Sequence, residues 1–425
     1  MTAQLRQVGD PTSLLDDEQV RGLIGEALGG PEWDGRSVLV LVPDSTRTAP
    51  VPLVVDTIVR ALSARASRLT ILVALGTHQP MDDSALEAHL GVSLSSLQGR
   101  GVEVHNHQWA DPTTFADLGT LPAEEVAVLS GGRLSEPVPV RVNRLAVEHD
   151  VVLIAGPVFP HEVVGFSGGN KYLFPGIGGQ EIIDQSHWLG ALLTSRDIIG
   201  TLGTTPVRAL IDRAAALVPA ERYCLAMVVQ SGSTRLHAIT AGPPEQAWAA
   251  AARVSAQVHV RYVDRPYARV LAIVPPMYPD MWTAAKGMYK LEPVVADGGE
   301  LVLYAPHVQE FSVTHGALLA EIGYHCRDYF LGQWDRFAAY PGGVLAHSTH
   351  LKGGGTWDPV AGERPRISVV LATGISAEQC AKHALEYRDP LDVDAAEWRA
   401  DPDSLVVDKA GEVLYRLSDP GAAVE

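Results

Sequence analysis

Short, unbroken runs of apolar and β-branched residues, each separated from the next by helix-like stretches, constrain this chain more than any other feature. The runs Ser37–Val42, Leu69–Leu75, Gly101–His105, Val151–Ala155, Val270–Val274, Leu301–Tyr304 and Ile367–Leu371 read as strands. Leu53–Leu62, Ala85–Leu90, Thr205–Leu217 and Glu245–Gln257 read as helices. A strand that is apolar at every position, rather than every second one, must be covered on both faces. That predicts an α/β class with mainly parallel sheets flanked by helices. At 425 residues the chain is long enough for two or three domains. The polar stretch Val260–Arg269, which contains Pro266, is the best boundary. Two α/β domains are expected, 1–265 and 266–425, with the active site in the cleft between them.

Charge and cysteine usage remove several classes of function. The formal net charge is −17, from 33 Lys+Arg against 50 Asp+Glu. Such a field disfavours nucleic acid and anionic membrane as partners, yet leaves room for a local basic pocket that takes one small anion. Cys224, Cys326 and Cys380 lie far apart with no CxxC pair, so neither a disulfide framework nor a zinc ribbon is expected. The N-terminus has no apolar core of signal-peptide length, and runs such as Val270–Pro276 are far too short to span a bilayer. The cytoplasm is the expected location.

Ligands of open α/β sheets collect beyond the carboxyl ends of the strands. Three of the expected strands run straight into polar, turn-rich segments. Ser37–Val42 leads into Pro43-Asp44-Ser45-Thr46-Arg47-Thr48-Ala49-Pro50, Leu69–Leu75 into Gly76-Thr77-His78-Gln79-Pro80, and Val151–Ala155 into Gly156-Pro157-Val158-Phe159-Pro160-His161. All three should open on one edge of one sheet. The segment from His161 to Trp188, HEVVGFSGGNKYLFPGIGGQEIIDQSHW, adds a glycine-rich loop ahead of an expected helix at Gln180–Leu189. Backbone N–H groups of such a loop can hold a phosphate. Neither GxxxxGK[ST] nor GxGxxG occurs, so a conventional P-loop or nicotinamide site is not indicated. A glycine-rich surface loop with an incidental lysine is the plain alternative.

The titratable residues near these loops suggest proton transfer and anion binding. His78, His161 and His187 are imidazoles that can act as acid, base or metal ligand near neutral pH. None of these three stands in an HxH or HExxH spacing, which leaves a conventional zinc site at them unsupported. Arg47 can clamp a carboxylate or phosphate with two parallel hydrogen bonds. Asp44, three residues earlier, can accept from ribose hydroxyls, orient Arg47 or simply form a turn. In the second half, Trp282-Thr283-Ala284-Ala285-Lys286 puts a lysine beyond a strand end, and His347–Gly355 reads as a polar, flexible loop, solvated or substrate-facing.

Taken together, DSTRTAP, GTHQP and HEVVGFSGGNKYLFPGIGG followed by His187 resemble the nickel-pincer lactate racemase family. The likeness covers most of the first half in order and spacing and thins in the second. It implies a nickel-pincer nucleotide, a pyridinium-3-thioamide-5-thiocarboxylic acid mononucleotide carrying Ni, attached through a thioamide to Lys171. It implies His187 as nickel ligand and His78 and His161 as the two acid/base residues. Asp44, Arg47, Ser167, Gly168 and Gly169 would form the cofactor cradle. Where the family has a Tyr-Gln pair ahead of a substrate-contacting lysine, this chain has Trp282 and Thr283 ahead of Lys286. Trp334 resembles the tryptophan of the family's Asp-Gln-Trp motif. Arg47, Lys286, Thr283 and Trp334 would therefore meet the substrate.

The resemblance implies an isomerase, a racemase or epimerase inverting C2 of a 2-hydroxy acid by hydride transfer. Loss of the glutamine at Thr283, together with the polar His347–Lys352 segment, points to a substrate larger than lactate, such as a sugar acid or a dicarboxylic hydroxy acid. Expected partners are that small acid and the proteins that build the cofactor, and a homo-oligomer is compatible with the sequence. A non-catalytic sensor of hydroxy acids or nucleotides is the alternative, disfavoured because a sensor needs no tethering lysine.

Overall fold

The computed structural model describes residues 4–418. They form two compact units, each built on its own sheet. The first unit comprises residues 1–159, 166–186 and 202–258, and the second 160–165, 187–201 and 259–425. The change near residue 258 falls just ahead of the expected boundary. The expected halves differ from these units in the two excursions at 160–165 and 187–201. Through those excursions His161 and His187, both expected in the N-terminal domain, belong to the second unit.

Seven strands make the first sheet: β1 (Arg6–Gly9), β2 (Ser37–Pro43), β3 (Arg68–Ala74), β4 (Val102–Asn106), β5 (Val151–Pro157), β6 (Glu221–Val229) and β7 (Leu236–Gly242). Their order is β1-β7-β6-β5-β2-β3-β4. The run from β6 through β5, β2 and β3 to β4 is parallel, and β7 and β1 are added antiparallel at one edge. Helix α1 (Asp17–Leu28) starts at a capping box between Asp16 and Gln19. Helix α2 (Val51–Leu62) follows β2, and the two helices bury Ile24, Leu28, Ile58 and Leu62 against Val38, Val40, Ile71 and Leu153 of the sheet. Each of those side chains removes roughly 1.5–3 kcal/mol worth of apolar surface from water. Helices α3 (Gln180–Leu193), α4 (Pro206–Ala215) and α5 (Pro244–His259) complete the layers, with Thr205 capping α4.

The second sheet contains β8 (Tyr267–Ile273), β9 (Val295–Ala305), β10 (Ser368–Thr373), β11 (Glu386–Tyr387) and β12 (Ser404–Val407), all parallel, in the order β11-β10-β9-β8-β12. Mainly parallel sheets flanked by helices thus form the fold, as the apolar runs predict.

One segment departs from its expected form. His347–Lys352 is the end of a helix, α6 (Gly342–Lys352), and His347, Ser348, Thr349 and His350 are buried. Apart from His350 Nε2, which is buried without a hydrogen-bond partner, most of their polar atoms are bonded inside the protein, which is why a polar string can be core. The Ser348 hydroxyl donates to the Gly323 carbonyl (2.9 Å), that of Thr349 donates to the Ala346 carbonyl (2.9 Å), and Tyr324 Oη lies 3.2 Å from His347 Nε2. The segment is thus mostly buried helix rather than a solvated loop. Among the described residues, no helix is long and apolar enough to cross a membrane.

Candidate active site

Strands β5, β2 and β3 are neighbours and parallel, with Leu41 opposite Ile154 and Pro43 opposite Ala74. Their loops therefore leave one edge of the sheet together. Two of these loops meet through the Asp44 carboxylate. One oxygen, Oδ1, closes an Asx turn by accepting from the Thr46 amide (3.1 Å) and hydroxyl (2.8 Å). The other, Oδ2, makes a short hydrogen bond with Nδ1 of His78. Burial alone would raise the Asp44 pKa. The His78 charge and hydrogen bond, with Arg47 and Thr46, outweigh it and hold the carboxyl well below the usual carboxylate range. Asp44 is accordingly an ionised acceptor that fixes the His78 ring. With the proton on Nδ1, the Nε2 lone pair of His78 is left to work as a base. The sequence offered Asp44 a ribose, Arg47 or a turn; the structure shows the turn at Oδ1 and adds His78 as the partner of Oδ2.

The glycine-rich loop joins the same edge. Gly76 donates to the carbonyl of Gly176 (2.9 Å), tying the loop after β3 to this one. Ser167 is committed locally: its hydroxyl accepts from the Phe159 amide (3.0 Å), and its own amide donates to the Phe159 carbonyl (2.8 Å). Gly168 and Gly169 both have positive φ, +85° and +59°. A Cβ on Gly168 would lie 2.7 Å from Val158 Cγ2, and one on Gly169 2.9 Å from Trp248 Cβ. Backbone conformation and close packing therefore demand glycine here, whatever ligand the loop holds. Lys171 follows in a single 3-10 turn, Gly169–Tyr172, and is half-buried.

His161 and His187 lie in the second unit, on segments that pack together. The amide of Gly200 donates to the carbonyl of Gly165 (2.9 Å), and Gly190 on α3 sits so close to Val163 that a Cβ would be 2.8 Å from Val163 Cγ1. His161 is 4% exposed. Its Nδ1 accepts from the Val163 amide (3.1 Å) and lies 3.3 Å from the Glu162 carboxylate. In the neutral ring this puts the proton on Nε2, the reverse of His78. Glu162 was not singled out from the sequence, because nothing marks a neighbouring acid as a ring partner before the turn is seen.

The remaining expected substrate contacts also lie in the second unit. Lys286 is 7% exposed, with its ammonium 4.6 Å from the centre of the Tyr278 ring. Thr283 is tied to the Asp280 cap of its helix: its hydroxyl donates to Asp280 Oδ1 (2.8 Å), and its amide to the same oxygen (3.0 Å). Trp282 stacks obliquely on His315 (4.5 Å) and His347 (4.1 Å). Burial, with the neighbouring His350 and His315, pushes the His347 pKa well below its usual value, so this ring is neutral. Trp334 lies flat against Trp188, the residue after His187, at 5.3 Å and 14°.

Among the described residues, no group of three or more His, Cys, Asp or Glu side chains is arranged to hold a metal ion. Lys171 and His187, the residues the resemblance assigns to a tethered nickel group, are each half-buried, and a group held by one lysine and one imidazole would have to bring most of the metal's ligands with it.

The site residues of the first half, from Asp44 to His187, fall within a recognised sequence family. The family described as "Lactate racemase N-terminal domain" matches residues 32–198. The lactate racemase of Thermoanaerobacterium thermosaccharolyticum is 26% identical over 277 residues, which are 64% of this chain and 60% of that enzyme. That of Lactiplantibacillus plantarum is 28% identical over 153 residues, 36% of this chain and 32% of the enzyme. The chain thus aligns with less than two thirds of either relative's length. A crystal structure of a Thermotoga maritima protein superposes with a TM-score of 0.88 at 34% identity, covering 96% of this chain and 99% of that one. The lactate racemase apoprotein from T. thermosaccharolyticum shares the fold, with a TM-score of 0.70 at 19% identity over 93% of this chain and 92% of that one. On this evidence, residues 32–198 of the chain belong to the lactate racemase N-terminal domain family.

Proposed function

We propose that this protein is a racemase or epimerase that inverts C2 of a 2-hydroxy acid with a nickel-pincer nucleotide attached to Lys171. The observation that carries the reading is the Asp44–His78 pair, set on the same sheet edge as the Lys171 loop. When bound, the nucleotide supplies an electron-poor pyridinium that takes up the Cα hydrogen as hydride, avoiding a carbanion beside a carboxylate. Lys171 would hold it covalently and His187 would give the nickel an imidazole.

The protein's own part is binding and proton transfer. Arg47 and Lys286 would take the substrate carboxylate as paired and point charges respectively. His78, its Nδ1–H directed at Asp44, would receive the hydroxyl proton on Nε2 from one enantiomer. His161, with Nε2–H already in place, would return a proton to the oxygen, and its Glu162 neighbour would accept Nδ1–H whenever the ring is doubly protonated. The two rings would then work in complementary tautomers, which suits inversion because each enantiomer needs its own hydroxyl base. Thr283 and Trp334 are assigned to substrate recognition, with a substrate larger than lactate. Thr283 offers less hydrogen-bonding reach than the family's glutamine.

Protein from a host that makes the cofactor should carry an adduct on Lys171 and about one nickel per chain, by intact mass and metal analysis. The Lys171→Ala variant should carry neither. Full nickel-dependent activity in Lys171→Ala would overturn the tether.

A further inference from the structure

Lys171 sits in one turn of 3-10 helix, too short to be stable on its own hydrogen bonds. Something beneath must hold it, and the structure contains an unusual support. Arg208 of α4 is 1% exposed, one of the largest fully buried side chains in the protein. Its guanidinium donates to two successive turns of the loop, Nη2 to the Phe166 carbonyl (2.5 Å) and Nη1 to the Gly168 carbonyl (3.0 Å). The carbonyl between them, that of Ser167, accepts from the Trp248 indole N–H (2.9 Å) on α5. Three consecutive carbonyls ahead of the lysine turn are therefore each bonded by a buried donor. The Arg208 guanidinium lies on the Trp248 ring at 4.1 Å, which locks both donors together.

The turn itself is gripped as well. Asn170, the residue before Lys171, is 1% exposed. Its amide nitrogen donates to Asp212 (2.9 Å) and Glu245 (2.8 Å), and its oxygen accepts from Arg222 (2.9 Å). The Gly168 carbonyl that Arg208 holds is also the acceptor for the Lys171 amide (3.3 Å). Two cations and two anions from α4, α5 and β6 thus converge on one asparagine and three carbonyls. A buried arginine is costly to desolvate, and so much buried polarity exceeds what a surface loop requires.

We propose that Arg208, assisted by Trp248 and Asn170, is a positioning residue that fixes the backbone from which the Lys171 amine is presented. The proposal rests on the reading of Lys171 as the tether and adds to it the scaffold that makes this lysine, among the six of the chain, the one that is presented. Lysine in place of Arg208 keeps the charge and loses the fork that spans two carbonyls. Phenylalanine in place of Trp248 keeps the packing and loses the donor to Ser167.

The test compares Arg208→Lys, Trp248→Phe and a mild core control, Ile58→Val, with the wild type. In apoprotein, amide hydrogen exchange over residues 166–172 should speed up about tenfold or more in the first two variants, with the rest of the unit unchanged. The control should leave that segment alone. In protein from a cofactor-producing host, adduct occupancy on Lys171 per folded chain should drop several-fold in the two variants and stay full in the control. Exchange unchanged at 166–172, or raised evenly across the unit, would overturn the positioning role, as would full adduct on a loosened turn. A wild type without adduct would instead overturn the tether itself, and the exchange data would still decide whether Arg208 orders the loop.

Discussion

Asp44 and His78 are separated by 34 positions and joined by a hydrogen bond, and this pair sets the chemistry open to the site. Each residue was legible as a candidate from its place after a strand. Their partnership was not, because it depends on two loops leaving one sheet edge side by side. An Asx turn spends Asp44 Oδ1 on Thr46, so only Oδ2 remains, and it faces the ring. Asp44→Asn keeps the shape and removes the charge that holds the proton on Nδ1. Turnover should fall about 10²- to 10⁴-fold with KM little changed, read from steady-state kinetics on loaded enzyme. Turnover within twofold of wild type would show that His78 needs no such orientation. His161 was legible in the same way, and its Glu162 and Val163 contacts again required the turn.

At the scale of elements, the apolar runs located the parallel strands to within a few residues, because continuous hydrophobicity has few other uses in a soluble domain. The hairpin of β6 and β7 was not among the expected strands, although β6 carries an apolar run of its own, Tyr223–Val229. Helix α6 was mistaken for a loop because His-Ser-Thr-His carries no apolar period, and only tertiary hydrogen bonds explain its burial. The short helix Met281–Ala284, which precedes Lys286, carries Thr283, the proposed specificity position, beside its cap. Asp280 caps it and Thr283 returns a hydroxyl to Asp280. Thr283→Gln should shift the preference between lactate and larger 2-hydroxy acids toward lactate by roughly tenfold, the size of one or two hydrogen bonds. It should also lower stability by about 1 kcal/mol through the lost bond to Asp280. A substrate panel and thermal melts read the two effects separately, and a wild type that prefers lactate strongly would contradict the larger-substrate assignment.

At the scale of the whole molecule, some histidines lie at the candidate site and others are buried as neutral core. Burial pushes His107 and His350 each down to about 4. Both are uncharged in the folded state at neutral pH, whereas in the unfolded chain they titrate near 6.5. Between about pH 6.5 and 4 the unfolded state binds more protons, so stability falls as pH drops through that window and changes little above it. Each such histidine contributes a slope of up to about 1.4 kcal/mol per pH unit there. Denaturant midpoints measured from pH 7.5 to 4 should show this loss, and His107→Gln should flatten it. A midpoint that stays level to pH 4 would contradict the neutral assignment.

The central claim is inversion at C2 with the Cα hydrogen kept from solvent. A single enantiomer of a 2-hydroxy acid, deuterated at Cα and incubated with loaded enzyme in ordinary water, tests it most directly by chiral separation with mass analysis. The account predicts that the opposite enantiomer accumulates and keeps most of its deuterium, since His78 and His161 exchange only the hydroxyl proton. Complete loss of label to solvent would make the histidines carbon bases and contradict the mechanism, and no inversion of any 2-hydroxy acid would contradict the function.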